Sequence, residues 1–98
     1  PSHILRNCNG SMEIRFATTF EKRFKKLSLK IKGKVLFTIQ KFTENPNDKS
    51  LRNHALKGRL EGKRAIWVTG DIRIIFHEFK NYTLVLMLDI GTHAQVYR

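Results

Sequence analysis

The stretch Gly70-Asp71-Ile72-Arg73-Ile74-Ile75-Phe76-His77-Glu78-Phe79-Lys80-Asn81-Tyr82-Thr83-Leu84-Val85-Leu86-Met87-Leu88 decides the fold. Ile72 to Phe79 is dense in β-branched and aromatic residues and reads as a strand. Lys80-Asn81 reads as a two-residue turn, and Tyr82 to Leu88 as a second strand, apolar enough to be central. Just upstream, Arg64-Ala65-Ile66-Trp67-Val68 is a third strand candidate, joined to the others through the Thr69-Gly70-Asp71 turn. Three strands linked by short turns form an antiparallel meander.

Further toward the N-terminus the pattern changes. Leu56 and Leu60 bracket Lys57-Gly58-Arg59, Glu61-Gly62 can turn, and Asn45-Pro46-Asn47-Asp48 is a turn cluster. Ahead of that cluster, Val35, Leu36, Ile39 and Phe42, with Phe37 as a further candidate, form one helical stripe. Phe20, Phe24, Leu27 and Ile31 form another, with lysine and arginine filling the opposite face. Gly33 is expected to separate the two helices, and Thr18 or Thr19 to cap the first. Glu13 to Ala17 alternates polar and apolar, the period of a half-exposed strand. Strand, two helices, then strands is an α+β order. The lead Pro1 to Ser11 has no periodicity; it is expected to be an added or disordered segment, with Met12 as the natural start and residues 12–98 as a single domain.

Charge narrows the function. Lys+Arg number 19 against 8 Asp+Glu, a formal net charge of +11, and the pI is near 10.3. Folding does not need that excess, which costs self-repulsion; it is the footprint of a protein that meets a polyanion or an acidic partner. Cys8 is the only cysteine, so no intrachain disulfide and no cysteine-based metal site is expected, which favours a reducing, cytoplasmic setting. No apolar run nears the roughly 18 residues of a membrane span, and no signal-peptide pattern is visible. No metal-ligand spacing, Ser/His/Asp ordering or phosphate-cradling glycine loop occurs, so no cofactor is expected.

The chain ends Asp89-Ile90-Gly91-Thr92-His93-Ala94-Gln95-Val96-Tyr97-Arg98. Imidazole, phenol and guanidinium follow the last strand within a few positions, and these are groups that move protons around a phosphate. Histidine suits either proton job, its unperturbed pKa being about 6.5. Each of these residues also has a plainer reading: His93 and His54 as loop or surface histidines, Asp71 as an ordinary turn residue, Trp67 as core packing or a base-stacking ring. Tyr82 and Phe79 read better as core than as stacking residues, and His77 reads as structural.

Three blocks in this order, Asn53-His54-Ala55-Leu56-Lys57-Gly58, Gly70 to Phe76 and Gly91 to Tyr97, behind a basic helical hairpin, resemble the RelE/ParE superfamily of bacterial toxins from type II toxin–antitoxin pairs. The likeness is greatest to the ribosome-dependent mRNA endonucleases of the RelE and YafQ kind and runs from Met12 to Arg98. It implies a small twisted antiparallel sheet packed against the N-terminal helical hairpin, with the active site in a basic concavity on the sheet. Position by position, His54, Asp71, His93 and Tyr97 match catalytic residues of YafQ-like enzymes, and Arg73 resembles an arginine of the RelE-type site. Trp67 departs from the pattern, standing where YafQ-like enzymes carry another histidine.

The resemblance implies RNA cleavage without a metal or other cofactor. A base takes the ribose 2′-OH proton, positive charge stabilises the phosphorane, and an acid protonates the 5′ leaving oxygen. Lys57, Arg59, Lys63, Arg64 and Arg98 are candidate RNA-binding residues. Lys22, Arg23, Lys25, Lys26, Lys30, Lys32 and Lys34 line the helices, facing ribosomal RNA or an acidic antitoxin segment. The implied partners are a cognate antitoxin, mRNA with the ribosome, and operator DNA only through the antitoxin, with no membrane. The alternatives are a ParE-like gyrase inhibitor without catalysis and an inactive RNA-binding module; neither has chemical need of the His54, Asp71 and His93 set.

Overall fold

Five consecutive buried residues, Ile72 to Phe76, place one strand at the centre of the molecule with both of its faces covered. The computed structural model describes residues 4–6 and 12–97. The strands are β1 (Ile4–Arg6), β2 (Glu13–Phe16), β3 (His54–Ala55), β4 (Arg64–Trp67), β5 (Ile72–Phe79) and β6 (Leu84–Thr92). The helices are α1 (Thr18–Lys25), α2 (Leu29–Glu44) and α3 (His93–Val96), with single 3-10 turns at Lys49–Leu51 and Gly58–Leu60. The sheet runs in the order β1-β2-β6-β5-β4-β3. Of the lead expected to be added or disordered, Ile4–Arg6 pairs antiparallel with β2.

The α+β architecture is as expected, but the sheet is mixed rather than wholly antiparallel. The meander β3 to β6 is antiparallel throughout, whereas β2 pairs parallel with β6. A parallel pair needs a long crossover. The helices supply it by taking the chain from β2 to the far edge of the sheet, from which the meander works back.

Alternation along β5 and β4 splits the apolar side chains between two cores. Ile66, Ile72, Ile74 and Phe76 join Phe20, Val35, Ile39 and Phe42 under α1 and α2. On the other face Ala65 and Ile75 meet Val96 of α3, with Leu56, Leu88 and Tyr97 packed around them. At the larger core's centre Phe42 meets Phe76 edge-on at 4.9 Å and Tyr82 at 5.9 Å.

The helix break lies at 26–28, not at Gly33, which sits inside α2. Ser28 accepts a hydrogen bond at its Oγ from the Ile31 amide, 3.2 Å away, and so caps α2. A good cap contributes about as much as an exposed glycine costs within a helix, roughly 1 kcal/mol each, so the cap sets the boundary. The buried stripe of α2 is Val35, Thr38, Ile39 and Phe42; Leu36 and Phe37, expected to be apolar contacts, are 57% and 66% exposed. Thr38 is buried because its hydroxyl donates to the Lys34 carbonyl at 2.7 Å.

The last strand is shifted from its expected limits. Lys80, Asn81 and Tyr82 all have positive φ, so Tyr82 belongs to the turn, and β6 continues past Leu88 to Thr92. It does so through a bulge: Ile75 pairs with Asp89 and Phe76 with Met87, leaving Leu88 unmatched. Among the described residues no helix is long and apolar enough to cross a membrane.

Replacement of Phe42 by alanine is expected to cost about 3–5 kcal/mol of unfolding free energy, as for large truncations in well-packed cores. Leu36→Ala, on the exposed side of the same helix, should stay within about 0.5 kcal/mol. Urea unfolding of both variants checks the orientation of α2; equal losses would contradict it.

Candidate active site

On the face of β4 and β5 turned away from α1 and α2, a cleft of about 370 Å³ is lined by His54, Trp67, Arg73, His93 and Tyr97. Side chains from β3, β4, β5 and α3 thus converge although they lie far apart in the chain. All members of the expected catalytic set line this cleft except Asp71.

Arg73 is the floor of the cleft. It is 6% exposed. Its Nη1 donates to the carbonyls of Thr69 at 2.9 Å and Ile72 at 3.3 Å, and its Nη2 to that of Gly70 at 3.1 Å. Its guanidinium carbon lies 3.8 Å from the centre of the Trp67 ring, the residue opposite it in the β4–β5 register. No carboxylate pairs with it among the described residues. Guanidinium has five N–H donors, so after three carbonyl bonds it keeps donors and a full positive charge for an anion.

The turn that supplies two of these carbonyls is itself held. Thr69 Oγ1 accepts from the amides of Asp71 at 3.1 Å and Ile72 at 3.0 Å. Asp71 is exposed at the tip of this turn, beside the cleft rather than among the residues lining it.

His54 lies on β3 with Nδ1 2.7 Å from the Arg52 carbonyl. A carbonyl only accepts, so Nδ1 carries the hydrogen and the neutral ring presents the lone pair of Nε2. Arg52 adopts the left-handed conformation, φ 51°, and its guanidinium carbon lies 4.2 Å from the Trp67 ring centre. Arg52 is a site neighbour that sequence reasoning missed, because only this turn brings it back over β4. Trp67 faces the cleft, so it is not the core residue that a lone strand tryptophan commonly is.

The chain end is ordered by a capping box. Thr92 Oγ1 accepts from the Gln95 amide at 3.3 Å, and Gln95 Oε1 accepts from the Thr92 amide at 2.8 Å. The spacing Thr92-x-x-Gln95 is the sequence signal for this helical turn, one that the strand-and-tail pattern of the chain end does not bring forward. α3 is anchored by buried Val96, and His93 and Tyr97, one turn apart, meet edge-to-face at 4.3 Å. Burial pushes the Tyr97 phenol above the ordinary tyrosine value near 10, opposed in part by the positive charge of Arg73, so it stays protonated at neutral pH.

The expected RNA-binding residues divide. Lys57 and Arg59 are exposed in the β3–β4 connection, and Lys63 is half-buried at its end. Arg64 is in register with Phe76 and so points to the face of α1 and α2. Its Nε donates to Asn53 Oδ1 at 2.8 Å, and Asn53 in turn donates to the Tyr82 hydroxyl and the Pro46 carbonyl, both at 3.0 Å. Arg98 lies outside the described residues. His77 stacks on Phe79 at 4.3 Å, away from the cleft lining.

The sequence model of the YafQ family, described as bacterial toxin of type II toxin–antitoxin system, matches residues 12–98. Among solved structures, YafQ from E. coli strain BL21(DE3) is 22% identical at a TM-score of 0.73, covering 89% of this chain and 99% of that one. The E. coli DinJ–YafQ complex matches at 23% identity and a TM-score of 0.65, covering 89% and 99%. The toxin–antitoxin complex RelBE2 from Mycobacterium tuberculosis matches at 24% identity and a TM-score of 0.66, covering 82% and 95%. No curated protein matches the sequence.

Gly91 stands opposite Arg73 in the register, and a Cβ there would lie 2.5 Å from Gln95 Oε1 and 3.2 Å from Gln95 Cβ. Gly91→Ala is therefore expected to expel the Gln95 side chain from the capping box. The loss should be roughly 1–2 kcal/mol of stability, as for a lost cap, with displaced NMR resonances for His93 and Tyr97 and unmoved ones for β3. Unchanged resonances for His93 and Tyr97 would show that the box does not position them.

Proposed function

The chain belongs to the YafQ family of bacterial type II toxins, and from that premise we propose that it is an endoribonuclease that cuts messenger RNA on the ribosome and so stops translation. The observation that carries this reading is the meeting, in one cleft, of two histidines, a protonated phenol and an arginine whose charge no carboxylate of the described residues neutralises. A gyrase-inhibiting relative would have no chemical use for that set.

In the proposed reaction the scissile phosphate lies over Arg73, between His54 and His93. Nε2 of His54 takes the proton of the ribose 2′-OH, and the 2′ oxygen attacks phosphorus. Arg73 stabilises the charge of the phosphorane, already oriented by its carbonyl partners and needing little rearrangement. The bond to the 5′ oxygen breaks and the imidazolium of His93 gives its proton to it, leaving His54 protonated and His93 neutral. Tyr97 holds the His93 ring and offers its O–H to a phosphate oxygen. The products are a 2′,3′-cyclic phosphate and a 5′-OH. Asp71, at the rim, acts on the 2′-OH side by orienting the substrate. Lys57, Arg59, Lys63 and Arg98 act through the RNA backbone, Lys57 and Arg59 as the exposed cations of the loop that carries β3 into β4, whereas Arg64 is turned to the other face of the sheet.

Relatives of the same fold are known as toxin–antitoxin complexes, and we extend this to a cognate antitoxin for the present chain, acting in the cytoplasm and bringing operator DNA to the toxin. Complementary charge favours an acidic or amphipathic segment, given the net charge of +11. A groove of about 730 Å³ between α2 and the Val68–Gly70 turn, with Lys30, Lys34, Lys41 and exposed Phe37 along it, has the matching character. Recovery of gyrase and no small acidic partner from the source cell would favour the ParE-like alternative.

His93→Ala should abolish growth arrest on induction, with a drop of roughly 10²- to 10⁴-fold in cleavage rate, as for loss of a general acid, while circular dichroism stays native because His93 is exposed. Full toxicity in a folded variant would sink the assignment. A 2′-deoxy substitution at the scissile nucleotide should block cleavage of ribosome-bound mRNA outright, since the nucleophile is the substrate's own hydroxyl. Cleavage of the deoxy substrate at the ribose rate would rule out this mechanism.

A further inference from the structure

Trp67 is the only tryptophan of the chain, and it stands in the wall of the cleft rather than in either core. Its neighbour Ile66 goes to the large core and Ala65 to the small one. No aromatic ring of the described residues is stacked on it. What lies over its ring is two guanidiniums, those of Arg73 and Arg52.

The two arginines are held very differently. Arg73 is buried and tied by three carbonyls. Arg52 is exposed, and among the described residues its side chain makes no hydrogen bond or ion pair. Only the ring contact keeps it in place. An exposed cation–π contact is weak, whereas a nucleobase on an aromatic ring gains a whole face of contact and tolerates any base.

We propose that Trp67 is a stacking platform for the nucleobase next to the scissile phosphate, and that Arg52 covers the ring in the free protein and yields it to the base. The ligand class rests on the endoribonuclease reading. Arg73 joins the two parts: it lies against the Trp67 ring and at the floor of the same cleft, so a phosphate over Arg73 puts the base of the adjoining nucleotide within reach of the indole. Arg52, once displaced, is beside the incoming backbone and pairs with a phosphate there. Because larger bases stack better, the platform favours a purine at that position.

A single tryptophan makes the test direct, since all tryptophan emission comes from the cleft. The probes are a 2′-O-methyl dinucleotide, which cannot be cleaved, its abasic counterpart, and inorganic phosphate. The dinucleotide should quench emission saturably by millimolar concentration, more strongly with adenine than with uracil, while inorganic phosphate leaves emission unchanged. By anisotropy of a labelled dinucleotide, removal of the base or Trp67→Ala should weaken binding roughly five- to hundredfold, the range for loss of one base–aromatic stack. Trp67→Phe, which keeps a ring and guards against misfolding of the alanine variant, should stay within about threefold. Arg52→Ala should brighten or shift the free emission and preserve the quench.

Equal binding of the abasic and base-bearing probes, or no quench at millimolar dinucleotide, overturns the platform. These outcomes are separate from those that test the nuclease reading. A protein that binds and is quenched but never cuts ribosome-bound mRNA loses the enzymatic role alone. One that cuts normally with no quench, and with a folded Trp67→Ala variant of unchanged base preference, loses the platform alone.

Discussion

A buried guanidinium with no counter-ion among the described residues is the constraint around which the sheet's open face is organised. Taking a charge out of water costs far more than one ordinary hydrogen bond returns, so Arg73 at 6% exposure needs several partners at once. It finds them in the carbonyls of Thr69, Gly70 and Ile72 and in the face of Trp67. Each partner imposes something on the chain. The turn must aim its carbonyls inward, which Thr69 Oγ1 secures by accepting from the amides of Asp71 and Ile72. β4 and β5 must pair so that Trp67 lies opposite Arg73; on the other side β6 sets Gly91 in register with it, where the missing Cβ leaves room for the Gln95 side chain of the capping box. None of these partners is anionic, so the arrangement holds the charge in place without cancelling it.

The cleft lies where the cover on the second face of the sheet stops. β5 is apolar on both faces, and α1 and α2 cover one of them. Among the described residues the other is covered by the four residues of α3 and the apolar residues around it. Where that cover stops, beyond Val96 and Ile75, the sheet surface turns polar and the five cleft residues appear. The same short helix therefore completes the small core and leaves the five cleft side chains at its margin.

Much of this arrangement is legible in the residues themselves. The limits of β5 follow from its run of β-branched and aromatic residues, and the buried face of α1 from its phenylalanine spacing. The convergence of His54, Arg73, His93 and Tyr97 is legible only through family resemblance, since nothing local in the chain brings these residues together. What is not legible has physical causes. The helix break lies early because a capping serine at 28 offsets the cost of keeping Gly33, which meets open space, inside α2. Tyr82 falls into the turn because three successive residues take positive φ, which no pair pattern announces. Arg64 goes to the wrong face for the cleft because strand alternation sets it with Ile66 and Phe76, and its hydrogen bond to Asn53 then fastens the rim of the large core. Arg52 has no sequence signal at all, because its place over Trp67 depends on one left-handed residue between a 3-10 turn and a two-residue strand.

The two histidines of the cleft look equivalent in the sequence and are not equivalent in the fold. The Nδ1 of His54 is committed to a backbone carbonyl of the residue whose side chain covers Trp67. That commitment fixes the ring's tautomer and leaves one nitrogen with a lone pair, the arrangement suited to removing a proton. His93 is held through its ring face against Tyr97 and through the backbone of a capped turn, a support that leaves its orientation set by packing rather than by a particular tautomer. In the proposed reaction His93 arrives protonated and leaves neutral, and such a group gains from that indifference. The phenol packed against it, kept protonated by burial against the opposing pull of Arg73, cannot serve as a base at neutral pH and is left as a donor. The asymmetry therefore arises from backbone and packing, which is why residue types alone could not assign base and acid, and it is the ground on which the proposed reaction takes His54 as the first and His93 as the second.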